Sequence, residues 1–178
     1  MSDVPTFAVV GHPNKGKSSI VSTLAQDDSV RIAPEPGTTT ECRAYPMRVD
    51  GDVQYVLIDT PPSLGLLTIN AFVAATGVIV PVQCEYLSLR GPVQLENTLA
   101  MVRENLNPDV KIEGILPTMF DRRTLHSREA TEILEESFGD LVYRTRIRKT
   151  VRYAEAPVKG SSVLKYDPTG AAAEAYRE

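Results

Sequence analysis

The residues best equipped for chemistry stand early in the chain, in the run FAVVGHPNKGKSSI (residues 7–20). Gly11 and Gly16 let the backbone curl so that successive N–H groups point inward at one anion. Lys17 follows with an ammonium able to stabilise charge on β- and γ-phosphates, the candidate catalytic role, and the Ser18 hydroxyl is a hard oxygen ligand suited to Mg²⁺. Gly11, His12, Pro13, Asn14, Lys15, Gly16, Lys17, Ser18 and Ser19 form the candidate nucleotide-binding set. A second group is Asp59, at the end of the apolar run VQYVLI (residues 53–58). A carboxylate at the carboxyl end of a buried strand is costly without a partner, and beside such a loop the partner is Mg²⁺, directly or through water. A third is the triplet Thr38, Thr39 and Thr40 in RIAPEPGTTTECRA (residues 31–44), a loop long enough to need a functional reason. With Ser18 and Asp59, one of Thr38 or Thr39, Thr39 being the one taken, completes the candidate metal set; on the loop alone, turn capping accounts for the threonines equally well.

The elements that must position these groups are legible around them. Residues 7–10 are apolar and read as a short buried strand, and Ile20, Val21 and Leu24 suit one face of a helix over residues 18–25. Strand, GxxxxGK[ST] and helix in that order are the context in which a P-loop works, with the helix adding its positive end. Residues 43–49 and 53–58 are strand-like and joined by Asp50-Gly51, a hairpin signal; Pro46 places the first of them at a sheet edge.

Regular alternation follows. Residues 63–75 read as a helix with Ile69, Phe72 and Val73 on one face, and residues 77–82 as a buried strand. Pro92 suits a first helical position, ahead of a stripe of Leu95, Leu99, Val102 and Leu106. Residues 111–116 form a strand that runs into PTMFD. Ser127 can cap a helix whose face is Ala130, Ile133, Leu134 and Phe138, stopped by Gly139. Residues 141–147 read as a last strand, residues 148–165 as a basic loop, and Asp167-Pro168 as the start of an Ala-rich helix. The expectation is an α/β fold: a mostly parallel sheet with one antiparallel edge strand and helices on both faces, three layers in all. Ligands of such sheets sit at the carboxyl ends of the strands, where the loop, Asp59, residues 83–85 and residues 118–121 all fall.

At 178 residues, 42% hydrophobic and 24% charged, the chain fits one domain, residues 1–178. A net charge of −4 excludes a generally basic nucleic-acid-binding surface but leaves room for a local basic patch. Cys42 and Cys84 have no metal-ligand spacing and read as reduced thiols. The sequence shows no apolar leader and no run of membrane-spanning length, so a cytoplasmic protein with no membrane partner is expected.

Two resemblances cover different parts of the chain. Residues 55–178 resemble ParA/Soj-type partition ATPases through YVLIDTPPSLGLLTINAFVAA, VIVPVQCEYLSLRG, LNPDVKIEGILPTMFDRRT, SREATEILEESFGD, RYAEAP and VLKYDP. Residues 1–52 resemble Era/TrmE-like GTPases through VVGHPNKGKSSIVSTL and PGTTT, and the Asp50-Gly51 hairpin suits those GTPases rather than a partition ATPase. Both belong to the P-loop NTPase fold, so the chain reads as a GTPase-like phosphate and switch half (1–52) joined to a ParA-like half (53–178). A recombined or engineered chimera is the simplest account of the pairing, and a natural outlier the other.

The resemblances imply an ATP-binding, ParA-like switch with weak or no hydrolysis. The alternatives are an Era-like GTPase stimulated by K⁺ through Asn14, and a chimera that binds nucleotide without turnover. The ParA resemblance implies a homodimer and non-specific DNA as partners, the DNA contacts falling on Arg123, Arg148, Lys149 and Arg152. It also implies that Thr118 and Asp121 line the base pocket, where an Asp can equally pair with guanine. Departures are specific. His12 stands where partition ATPases carry an extra lysine, no counterpart of their water-orienting acidic segment lies between Asp27 and Asp52, Pro62 replaces the GTPases' γ-phosphate-binding glycine, and NKxD is missing.

Overall fold

The computed structural model describes residues 4–11, 17–27, 29–30, 41–61, 63–84 and 90–178. Five strands form one sheet in the order β2-β3-β1-β4-β5. These are β1 (Thr6–Val9), β2 (Arg43–Val49), β3 (Asp52–Asp59), β4 (Gly77–Gln83) and β5 (Ile112–Thr118). β1 runs parallel to both β3 and β4, β4 is parallel to β5, and β2 is antiparallel to β3. The hairpin at Asp50-Gly51 forms as expected, both residues having positive φ (52° and 92°), the backbone that a tight right-twisting turn requires. Pro46 sits on the edge strand β2, where its missing N–H breaks no ladder.

Alternation along the strands divides the core. Val9 and Leu57 point to one face and pack with Tyr45 and with Val21 of α1 (Lys17–Ala25). Ala8, Val10, Ile58, Val78, Val80 and Val82 belong to the larger core, with Ala71 and Phe72 of α2 (Leu66–Ala74) and Leu95, Leu99 and Val102 of α3 (Arg90–Asn105). Helices therefore cover both faces. α4 (Leu125–Phe138) ends at Gly139, whose φ of 54° closes the helix as its position suggested.

Several details depart from the sequence reading. α2 buries Thr68, Ala71 and Phe72, leaving Val73 outside, and Leu106 lies past the end of α3 and is exposed. Pro92 is the third residue of α3 rather than its first. The cap position of α4 is Thr124; Ser127 lies inside the helix, buried, and Ile133 faces outward. The basic stretch 148–165 carries α5 (Arg152–Val158) and the single turn α6 (Val163–Tyr166), and α7 (Ala171–Ala175) has Gly170 at its N-cap rather than starting at Asp167-Pro168.

The last expected strand, residues 141–147, is not a continuous one. After a 3₁₀ turn at Gly139–Leu141 the chain lies along β5 through isolated bridges at Ile115↔Val142 and Phe120↔Arg148. The Pro117 carbonyl accepts from Ile147 N–H (2.9 Å) on this edge, and a strand residue's N–H and C=O face the same side. Proline therefore offers no donor where the ladder needs one, and the pairing skips. The segment is held instead by Tyr143, whose N–H bonds the Ile115 carbonyl (2.9 Å) and whose ring lies where a Cβ on Gly114 would be. Gly114→Ala is expected to lower stability by about 1–3 kcal/mol through this overlap. Adding Tyr143→Ala should recover most of the loss, read by urea unfolding.

Candidate functional site

Register sets the centre of the site. Val9, the last residue of β1, pairs with Asp59, the last of β3, so the chain leaves β1 toward Gly11 beside that carboxylate. The wholly buried Thr60 fastens the two strand ends, its hydroxyl donating to the Val9 carbonyl at 2.8 Å. Sequence reasoning passed over Thr60; its signal is a small β-branched hydroxyl directly after the strand-end acid. Val10 N–H bonds the Ile79 carbonyl on the other side (3.0 Å), and a Cβ on Gly11 would come 3.0 Å from the Pro81 carbonyl oxygen. Gly11 thus passes too close to β4 for any side chain to fit easily.

α1 starts at Lys17 directly against this point. Ser18 Oγ donates to Asp59 Oδ2 at 2.6 Å, joining the first turn of α1 to the end of β3 across 41 positions of sequence. Asp59 is only 4% exposed and Lys17 6%. Burial pulls the Lys17 ammonium down to about 8, while the Asp59 carboxylate pulls it back up. Lys17 thus titrates lower folded than unfolded, so between about pH 8 and 10.5 the unfolded chain holds more protons and stability rises with pH. Below pH 8 the cost of the buried cation is fully present. Against Lys17→Met, which cannot titrate, the wild type is expected to gain of the order of 1–3 kcal/mol over that window, measured as the difference in unfolding free energy without nucleotide.

Of the expected nucleotide-binding residues, Gly11, Lys17, Ser18, Ser19, Thr118 and Asp121 are described; Ser18 bonds Asp59, and the Asp59 charge acts on Lys17. His12, Pro13, Asn14, Lys15, Gly16, Thr38, Thr39, Thr40 and Pro62 lie outside the described residues. No group of three His, Cys, Asp or Glu that could hold a metal exists among the described residues. The Ser18 hydroxyl with the Asp59 carboxylate is instead a sparse, hard-oxygen pair of the kind that suits Mg²⁺, which keeps most of its shell as water and phosphate.

At the other side of the sheet, β5 ends at Thr118, in register with Gln83 of β4. Thr118 is 3% exposed, and its hydroxyl has no hydrogen-bond partner among the described residues. Met119, with φ of 54°, turns the chain toward Asp121. Arg123 holds Asp121: Oδ1 accepts from Arg123 N–H (3.0 Å) and Nε (3.1 Å), and Oδ2 from Nη2 (2.9 Å). These contacts lower the Asp121 carboxyl to about 2. Asp-x-Arg spacing gave no hint of the clamp, which depends on the turn bringing positions 121 and 123 together.

The basic residues divide. Arg152 bonds Glu155 (3.0 Å) and lies 3.5 Å from Asp167, Arg146 bonds Glu135 (2.7 Å) and covers the Phe120 ring, and Arg123 is taken by Asp121. Arg148 and Lys149 are exposed beside the end of β5 and are in no ion pair among the described residues. Both cysteines are free thiols, as expected. Among the described residues no helix is long and apolar enough to cross a membrane.

A family model described as an AAA domain matches residues 39–112. The chain is 48% identical to the sporulation initiation inhibitor protein Soj of Bacillus subtilis over 128 residues, 72% of this chain and 51% of that one. It is 46% identical to the chromosome partitioning protein ParA of Caulobacter vibrioides over 130 residues, 73% of this chain and 49% of that one. The chain thus spans about half the length of these relatives. Among solved structures, an ATP complex of McdA from Cyanothece aligns over 99% of this chain and 95% of its own, with TM-score 0.72 and 11% identity. Cobyrinic acid a,c-diamide synthase from Mycobacterium smegmatis with ADP and magnesium aligns over 94% and 96% (TM-score 0.61, 24% identity). Era from Aquifex aeolicus aligns over 92% of this chain and 55% of its own (TM-score 0.57, 15% identity). The chain has the fold of these P-loop NTPase structures, and over about 70% of its length its sequence is similar to Soj and ParA.

Proposed function

We propose that the domain binds a Mg²⁺–nucleoside triphosphate, ATP in preference to GTP, as a ParA-like switch with weak or no hydrolysis. The observation that carries this reading is the 2.6 Å contact of Ser18 with Asp59 beside the buried Lys17. It gathers a cation for phosphate oxygens and two oxygen ligands for a metal at the first turn of α1. Ser18 and Asp59, joined by Thr39, would hold Mg²⁺, with Asp59 acting directly or through water. When bound, the metal neutralises charge shared by the β- and γ-phosphates. Lys17 and the backbone of residues 11–19 would bind those phosphates. Thr118 and Asp121 would face the base.

The preference for ATP is supported by similarity to Soj and ParA and by the ATP complex of McdA. Weak turnover is the reading because no acidic segment for orienting water lies between Asp27 and Asp52 and Pro62 has no N–H to offer a γ-phosphate. The antiparallel β2–β3 hairpin favours a second reading, a GTPase-like phosphate half (1–52) joined to a ParA-like half (53–178). Competition of ATP and GTP against a fluorescent nucleotide, with and without Mg²⁺ and with K⁺ exchanged for Na⁺, tests both. Tighter GTP binding, or K⁺-dependent GTP turnover, would replace the first reading with the second.

Homodimerisation and non-specific DNA binding belong to the same proposal. All four candidate DNA contacts are exposed, but Arg123 and Arg152 already serve carboxylates, whereas Arg148 and Lys149 are in no ion pair among the described residues. Arg148→Glu with Lys149→Glu is therefore expected to weaken DNA retention about tenfold or more at low salt, on any sequence, in a gel-shift assay. Unchanged retention would assign these cations to solvent.

A further inference from the structure

We infer that Arg123 is a base-specificity residue: it occupies the Asp121 carboxylate that would otherwise accept the N1–H and N2–H of guanine. The inference rests on the nucleotide reading above and concerns which base that site admits. A metal held by Ser18 and Asp59 would lie on the β3 side of β1, and the rest of a nucleotide would then lead the other way, over β4 toward β5. The end of β5 is two strand spacings from β1, roughly 10 Å, a distance that a phosphate chain and ribose can span.

Asp121 is the carboxylate at that end. Its position is independent of Arg123, since its carbonyl accepts from Thr124 N–H (3.2 Å) and its own N–H points to Ser127 Oγ (3.4 Å). Guanine presents two parallel donors, N1–H and N2–H, matched to the two oxygens of a carboxylate. The Arg123 fork already makes that bidentate contact through Nε and Nη2. Adenine presents an acceptor at N1, which an uncovered carboxylate would repel, and the guanidinium offsets that charge. The Arg123 side chain is 89% exposed, so shortening it removes the two guanidinium contacts, keeps the backbone N–H on Oδ1, and leaves the core intact. Lys149 also acts on the Asp121 charge and remains as a weaker cation after Arg123 is removed.

The test is competition binding of ATP and GTP, with Mg²⁺, to the full chain as wild type, Arg123→Ala and the double variant Asp121→Asn with Arg123→Ala. Arg123→Ala is expected to shift the ratio of GTP to ATP affinity toward GTP by about three- to tenfold, the scale of an exposed ion pair released. The double variant should lose that gain, because an amide cannot accept both guanine donors. An unchanged ratio in an Arg123→Ala protein that still binds ATP overturns the role of Arg123 and leaves the nucleotide site standing. A wild type that binds neither nucleotide overturns both.

Discussion

Lys17→Ala is expected to weaken ATP binding by at least roughly 100-fold, because a charge-assisted contact to phosphate is among the strongest polar interactions available and nothing replaces it. Lys17 is buried at the start of α1, where the Asp59 carboxylate acts on its charge. Without the ammonium, an incoming triphosphate meets the Asp59 carboxylate with that cation gone, so repulsion adds to the lost attraction. The protein should stay folded, since the substitution also removes a cation whose burial is unfavourable. The measurement is a fluorescent-nucleotide titration, with circular dichroism confirming the fold. An alanine variant that folds and holds ATP as tightly as the wild type would end the nucleotide reading.

Asp59→Asn should act on the metal rather than on the phosphates. The amide keeps an oxygen for Ser18 Oγ, 2.6 Å away in the wild type, but carries no charge for a divalent ion. The expected result is a loss of about 10- to 100-fold in the Mg²⁺ concentration dependence of ATP binding. Affinity measured in EDTA should fall little or even rise, because a buried negative charge near the phosphates has gone. Titrating Mg²⁺ at fixed ATP separates the two effects. Equal Mg²⁺ dependence in both proteins would remove Asp59 from the metal site and leave Lys17 unaffected.

The sequence marked these two residues by different routes. Lys17 is fixed by local spacing: glycines five positions apart, then lysine and serine, between an apolar strand and a helix face. Asp59 carried no motif of its own and was found because a carboxylate ending the run VQYVLI has few inexpensive explanations. That Asp59 lies where its charge acts on Lys17 is a matter of strand register, Val9 opposite Asp59, which only pairing of distant segments establishes. The Arg123 clamp on Asp121 was beyond reach for a related reason. It needs the positive φ at Met119 and the turn into α4, neither of which residue types alone require.

Local chemistry in the sequence determined the order of β and α elements as far as α4, the Asp50-Gly51 hairpin with Pro46 on the edge, the stop at Gly139, and the strand and helix on either side of the glycine-rich loop. Each depends on neighbours a few positions away, so one stretch contains its own cause. Tertiary structure decided what depends on distant partners: Val73 and Leu106 facing solvent, Ser127 buried inside α4, and Arg123 and Arg152 spent on carboxylates. It also decided the fate of residues 141–147. Their composition suits a strand, but the edge they must join offers Pro117, with no donor for the ladder, and a pattern read along one segment cannot show what its neighbour lacks.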